Sequence, residues 1–313
     1  MSEQAFRIVV LVKQVPDTAN VTGDAMKDDG TVNRAALPAI FNPEDLNALE
    51  EALRLKDAFD ARVTVLTMGP PSAAQVLRES LYRGADEVVL LTDRSFAGAD
   101  TLATSYALAQ AIGQLGRVDL VLCGRQAIDG DTAQVGPQTA EKLDMPQITC
   151  VARIDEVIAP GARFTGDPGT VTATRSVEDG LETLRAPLPC LLTVTGEANE
   201  PRPPSVKLVM TYKRAVAEAS PDYDDSYLDP DSDESEVCMI GRDGRPVCRA
   251  RIVQWDAAAI EAERELIGLR GSPTRVKKID SVVLQAGDTR LIEPTDQGVA
   301  GLVRELIEEH ILG

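Results

Sequence analysis

The chain has no surplus of positive charge to offer a partner. Its 32 lysines and arginines are outnumbered by 50 aspartates and glutamates, a formal net charge of -18. A nucleic-acid backbone or an anionic bilayer attracts the opposite sign, so neither is expected as a ligand. Long apolar runs are also lacking: none reaches the roughly 18 residues that span a bilayer. The N-terminus has no charged, apolar and small-residue signal pattern, which points to the cytoplasm. Cysteine is scarce and odd in number, five in all. Cys123, Cys150 and Cys190 fall in apolar runs where buried free thiols are common, so a reducing compartment is expected and a disulfide framework is not. The single histidine, His310, sits near the C-terminus on an expected helix and reads as a helix-end cation rather than a catalytic base. Cys238 and Cys248 flank GRDGRP with no histidine near, so no metal centre is expected. No residue stands out as a catalytic acid, base or nucleophile.

What is present is a core. Hydrophobic residues make up 43% of 313 positions, enough for a large α/β domain with an appendage. Continuous apolar runs at Phe6 to Val15, Val63 to Met68, Glu87 to Leu91 and Val118 to Cys123 read as buried parallel strands. Helical periodicity separates them. Asn42 can cap and Pro43 suits the first helical position of a helix running to about Phe59, and two more are expected at Ala73 to Tyr82 and Asp100 to Leu115. The alternation predicts a Rossmann-like, doubly wound, mostly parallel sheet. Ile148 to Ile158, Gly169 to Val177, Leu181 to Leu184 and Pro187 to Thr195 extend it, with a hairpin at Glu178-Asp179-Gly180. The expected domain covers 1–196. Residues 197–313 form an extended C-terminal arm, with an acidic insertion near 218–250, a short cluster at Ile252 to Leu269 and an amphipathic helix near Gln297 to Ile311 that needs a partner surface.

One stretch organises the rest, GRQAIDGDTAQVGPQT, directly after the apolar run that ends at Cys123. It is far longer than the roughly two to six residues of an ordinary strand-to-helix connection. Parallel sheets bind ligands in the crevice beyond the carboxyl ends of their strands, and Gly124 sits at such an end. Arg125, Gln126 and Ala127 lead into a sharp turn after Asp129, where Gly130 is expected to take a positive φ. Asp131, Thr132 and Gln134 are candidate caps for the next helix, with Ala133 between them. Pro137 belongs in that helix's first turn, ahead of Gln138 and Thr139, so the N–H groups of Gln134, Val135 and Gly136 should be free for a phosphate. Asp129 and Asp131 would repel a phosphate and are assigned to turn bonds or a ribose.

GRQAIDGDTAQVGPQT, GLETLRAPLP, NEPRPPSVK and GLRGSPTRVKK, in order with VLVKQVPD and FNPED, resemble the β subunit of electron transfer flavoprotein over most of the chain. In that family the β subunit has a Rossmann-like domain holding AMP or FAD and pairs with an α subunit that carries a second FAD. The resemblance places the nucleotide against Leu11, Val12 and Lys13; Asn42, Pro43, Glu44 and Asp45; Met68 and Gly69; and Gly124 to Val135. It also implies a loop after NEPR that docks an acyl-CoA or related dehydrogenase, with Pro203, Val206 and Val209 as candidates. The acidic stretch near 218–250 has no place in the family pattern.

FAD and AMP both remain open. DRSFAGADTLAT is similar to members whose β subunit binds FAD and splits the electron pair of NADH, one electron going to a low-potential ferredoxin or flavodoxin. Asp100 and Thr101 open a helix with Thr104 on the same face, where a second phosphate could sit. The alternative is that Asp100 simply caps that helix. The excursion Asp17 to Arg34, also similar to those members, would roof the flavin. Two other classes fit less well. A nucleotide-hydrolysing relative calls for a Ser-Gly-Gly loop where this chain reads VKQVPDT, and a nucleotide-sensing stress-protein module calls for a Gly-rich motif near its last strand and no arm.

Overall fold

The computed structural model describes residues 5–17, 37–59, 61–162, 166–213, 215, 239–240, 246–247, 252–274, 292 and 294–308. The chain begins with β1 (Arg7–Leu11), the short strand β2 (Gln14–Pro16) and β3 (Ala39–Phe41). Then α1 (Pro43–Phe59), β4 (Arg62–Met68), α2 (Ala74–Arg83), β5 (Glu87–Leu91), α3 (Thr101–Gln114), β6 (Leu120–Gly124) and α4 (Val135–Lys142) alternate. Four consecutive strands follow: β7 (Gln147–Ile158), β8 (Thr170–Val177), β9 (Gly180–Pro187) and β10 (Cys190–Val194). Helix α5 (Val206–Tyr212), the paired strands β11 (Met239–Ile240) and β12 (Pro246–Val247), β13 (Val253–Trp255) and α6 (Asp296–Glu308) complete the described elements.

Nine strands form one sheet in the order β13-β5-β4-β1-β6-β10-β7-β8-β9. All pairings from β13 to β7 are parallel, and β7, β8 and β9 are antiparallel. The mostly parallel α/β fold read from the sequence is the fold observed. Its apolar runs lack alternation because both faces are covered. Ile8 and Val10 face the cluster that includes Leu49, Leu53, Leu77 and Leu81 of α1 and α2. Val9 and Leu11 face the cluster containing Leu108 and Ile112 of α3 and Ala140 of α4. Each fully buried leucine or isoleucine contributes roughly 1.5–3 kcal/mol.

Strand order reverses at β1: β4 and β5 lie to one side, β6 and β10 to the other. That is the switch point at which such sheets leave a crevice. Leu11 pairs with Cys123 there, so the ends of β1 and β6 form its floor.

Two expectations need correction. The run Phe6 to Val15 is not one strand: β1 stops at Leu11 because Lys13 N turns to the Asp45 carboxylate, and β2 pairs with β3 instead. The short cluster at Ile252 to Leu269, expected within the arm, also contributes to the main sheet. Its residues Val253–Trp255 are the edge strand β13, parallel to β5, and three residues proved too few for a periodic signal.

Candidate functional site

The crevice is built by the first turn of α1. Asn42 Oδ1 accepts from Ile128 N at 3.2 Å, and its Nδ2 donates to Gln126 O at 2.9 Å. Glu44 Oε2 accepts from Gln126 N at 3.0 Å while its Oε1 pairs with Arg125 Nη2 at 3.0 Å. Asp45 joins the two strand ends: Oδ1 accepts from Gly124 N at 2.9 Å and Oδ2 from Lys13 N at 2.8 Å. Burial pushes the Asp45 carboxyl up to about 7, against the opposing pull of bonds from Asn42, Gly124 and Lys13 and the charge of Lys13. A Cβ at position 124 would lie 2.5 Å from Asp45 Oδ1, so glycine is required by close approach rather than by a turn. Pro43 contributes the first helical residue, as expected.

The loop after Gly124 is tied in the same way. Lys13 Nζ reaches both oxygens of Asp129 at 2.7 Å, and Gln126 Nε2 donates to Asp131 Oδ1 at 3.1 Å. The expected positive φ at Gly130 is not found; it falls on Asp131 (φ 49°) and Ala133 (φ 52°). The turn closes instead by Gly130 N and Asp131 N both donating to Ala127 O. Non-glycine backbone in the left-handed region persists where the surroundings hold it, often at ligand sites. The capping expectation is also corrected. Gln134 is the N-cap of α4 but makes no side-chain cap bond, because its Oε1 accepts from Thr101 Oγ1 at 2.9 Å. Asp131 is engaged with Gln126, and Thr132 is exposed. The first turn of α4, with Val135, Gly136 and Pro137, is therefore left without a side-chain cap. Gly136 brings α4 onto the sheet, since a Cβ there would meet Thr193 Cγ2 at 2.8 Å and Cys123 Sγ at 2.9 Å. Thr139 is buried, its hydroxyl donating to Val135 O at 2.7 Å.

At the neighbouring helix, Asp100 caps α3. Its Oδ1 accepts from Leu102 N and Ala103 N, each at 3.0 Å, and its Oδ2 from Thr274 N and Oγ1 at 3.0 and 2.7 Å. Burial raises this carboxyl, but the bonds from Ala103, Thr274 and Leu102 outweigh it and hold it below the usual range. Thr104 is half-buried on the next turn from Thr101. Met68 ends β4, and Gly69 N donates to Leu91 O at 3.0 Å. The residues from Leu11, Asn42, Met68, Asp100 and Cys123 onward thus stand at one end of the sheet.

Beyond the crevice, Val206 is 79% exposed at the start of α5, Pro203 is exposed and Val209 half-buried. The segment before them is gripped by Asn47, Glu50 and Glu51, which sequence reasoning missed. A signal was present: three polar residues among Ala48, Leu49, Ala52 and Leu53, all buried together. Ile128, inside the expected stretch Gly124 to Val135, participates through its backbone N–H. Cys123 and Cys190 are buried free thiols and Cys150 is a half-buried one. His310, Cys238, Cys248 and the excursion after Asp17 lie outside the described residues, as does most of 218–250. Among the described residues no cluster suits a metal ion, and no helix is long and apolar enough to cross a membrane.

A nucleotide fits this donor set. The uncapped α4 N-terminus suits a phosphate. Gln138 Oε1 and Arg125 Nε are buried without a hydrogen-bond partner among the described residues, one acceptor and one donor left over beside the loop. The carboxylates of Glu44, Asp45 and Asp129 are spent on Arg125, Lys13 and backbone N–H groups.

Residues 29–222 match the model of the electron transfer flavoprotein domain. The chain is 41% identical over 307 residues to the electron transfer flavoprotein subunit beta of Clostridium acetobutylicum, a match covering 98% of this chain and 100% of the relative. It is 41% identical over 309 residues to the caffeyl-CoA reductase-Etf complex subunit CarD of Acetobacterium woodii, covering 98% and 100%. Protein FixA of Bradyrhizobium diazoefficiens is 39% identical over 301 residues, covering 94% and 89%. A crevice at the switch point of a parallel sheet, a domain match over more than half the chain and near end-to-end similarity to β subunits lead to one conclusion: the chain belongs to the electron transfer flavoprotein β-subunit family.

Proposed function

We propose that this chain holds FAD in the crevice beyond β1 and β6, takes electrons from NADH, and passes them singly to two acceptors. One acceptor is a low-potential carrier of the ferredoxin or flavodoxin class, and the other is an acyl-CoA or related dehydrogenase. The observation that carries this reading is the bond from Thr101 Oγ1 to Gln134 Oε1 at 2.9 Å. It sets the N-terminus of α3 beside the uncapped N-terminus of α4, and a diphosphate has two groups to place where AMP has one. When bound, FAD supplies the chemistry that converts a two-electron donation into one-electron deliveries. The protein's part is position. Asn42, Glu44 and Asp45 fix the loop 124–128, and Lys13 ties the adjoining Asp129 by an ion pair.

The arm 197–313 is proposed to pack on the α subunit. Support comes from α6, where Val299, Leu302, Val303 and Ile307 are all exposed. Pro203, Val206 and Val209 are proposed as the dehydrogenase-docking segment, supported by the exposure of Val206. The relatives' names include a caffeyl-CoA reductase complex, in keeping with a dehydrogenase of the acyl-CoA class.

A second reading, AMP in place of FAD, is favoured by Asp100. Its Oδ1 already occupies the N–H groups of Leu102 and Ala103, so α3 has few donors left for a second phosphate. Thr101→Val with Thr104→Val separates the readings. The FAD reading expects flavin to fall from two to one per heterodimer, with NADH oxidation lost. An unchanged flavin content would show that the threonines serve only the protein.

A further inference from the structure

Glu50 and Glu51 sit in the middle of α1 with 5% and 7% of their surface exposed. Carboxylates are almost never buried unless paired, and nothing in the sheet calls for them there. What they hold is the segment that leads into α5. Glu50 Oε2 accepts from Arg202 N at 3.0 Å and from Arg202 Nε at 2.8 Å, while its Oε1 accepts from Arg202 Nη2 at 3.2 Å. This is a two-pronged guanidinium–carboxylate pair with a backbone donor added, the geometry in which such pairs are most directional. Arg202 Nη2 also reaches Asp57 Oδ2 at 3.0 Å, and hydrogen bonding to Glu50 is the leading cause that raises the Arg202 guanidinium further above its usual range.

Three residues earlier the tie is repeated with amides. Asn47 Nδ2 donates to Asn199 O at 2.7 Å, and Asn199 Nδ2 returns bonds to Asn47 O at 2.9 Å and Glu51 Oε1 at 2.8 Å. Ser205 N then donates to Tyr82 O at 2.8 Å at the end of α2, and α5 begins at the next residue. With its base held at these points, α5 leaves Val206 and Met210, one turn apart, 79% and 61% exposed. The helix that grips this base is the one whose first turn grips the crevice loop. Asp45 and Glu50 are separated by about 8 Å along the axis of α1, at 1.5 Å per residue.

From this geometry we infer that Glu50 and Arg202 are positioning residues for electron delivery. They fix the exposed pair Val206 and Met210 relative to the nucleotide crevice, so that a docked dehydrogenase meets the flavoprotein in one orientation. The inference rests on the reading of Pro203 to Val209 as the docking segment. The Glu50 side chain is 6% exposed and cannot reach a docked partner itself. Within α1 it also pairs with Arg54 at 3.3 Å, and among the described residues its only tie to the docking segment is Arg202.

The test uses the heterodimer with its α subunit, reduced and mixed either with an acyl-CoA-class dehydrogenase at varied concentration or with a small one-electron dye. Glu50→Gln and Arg202→Gln are each expected to raise KM for the dehydrogenase about tenfold, equivalent to about 1.4 kcal/mol. Flavin content, kcat at saturation and dye reduction stay unchanged. The double variant is expected to raise KM by less than the product of the two single factors, since both remove the Glu50–Arg202 pair, while Arg202 also loses Asp57 and Glu50 also loses Arg54. A purely structural tie would lower the unfolding temperature and leave KM alone, and that outcome overturns the inference. So does a dye rate that falls in step with the dehydrogenase rate. Val206→Asp is the control for the underlying reading: if it leaves KM unchanged, the docking segment itself is wrong. If Val206→Asp raises KM while Glu50→Gln does not, only the positioning role fails. Should Glu50→Gln not assemble, Arg202→Lys, which keeps the charge but loses the fork, is expected to raise KM by a smaller factor, and an unchanged KM in that variant overturns the inference equally.

Discussion

Asp45 Oδ1 and Gly124 N are 2.9 Å apart, and this bond ties the start of α1 to the end of β6 at the point where the sheet reverses order. A side chain at 124 has no room. A Cβ would stand 2.5 Å from Asp45 Oδ1, a side-chain oxygen held by its bond from Gly124 N, and 2.8 Å from the backbone atoms Asp45 N and Glu44 C, which have little freedom to yield. Gly124→Ala is therefore expected to destabilise the fold by about 1–3 kcal/mol, the usual cost of overpacking, and to lower nucleotide content with it. Urea unfolding and nucleotide extraction check both. A variant of native stability would show that Asp45 and α1 move away freely.

The same carboxylate predicts a pH dependence. In the fold Asp45 is held near 7, above its ordinary 3.8, so the folded state binds its proton more tightly than the unfolded chain does. Its contribution to stability is fully present below about 3.8, declines as pH rises, and is lost above about 7. The stability of wild type minus that of Asp45→Asn should accordingly fall between pH 4 and 7 and level off beyond. A difference that stays constant across this window, measured by urea unfolding, would mean that Asp45 ionises in the fold as it does in water.

Asp100 has the opposite sign. Its bonds hold the folded carboxyl below the usual range, so its contribution is present above about 3.8 and disappears as pH falls through the folded value. Asp100→Ala removes the cap of α3 together with the tie to Thr274, and a cap of this kind is worth about 1 kcal/mol. Faster amide exchange in the first turn of α3 and at Thr274 is the expected signature. Exchange unchanged at Thr274 would show that the segment is held by other bonds, such as that between Asp100 N and Ser272 Oγ.

Much of this architecture was legible in the sequence because the parallel strands, covered on both faces, read as unbroken apolar runs. Glu87 to Leu91 is strand β5 with the same limits, and α3 lies between the expected cap Asp100 and Leu115. The crevice loop was found from its length and its place after a strand. How the loop is held was not legible. Periodicity says that Asn42, Glu44 and Asp45 begin a helix, but their side chains bond to residues some 80 positions away. Gly130 looked like the turn glycine because glycine tolerates positive φ; the side-chain bond from Gln126 to Asp131 accompanies that conformation one residue later. Strand β13 was missed because only the sheet edge at β5 makes three residues a strand. Glu50 and Glu51 were passed over because the partners that bury them, Asn199 and Arg202, lie roughly 150 positions away in the chain.

The central claim, that the crevice between the N-termini of α3 and α4 holds FAD, is tested most directly by extracting and quantifying the nucleotides of the purified wild-type heterodimer. Two FAD per heterodimer and no AMP is the predicted result. One FAD with one AMP would contradict it.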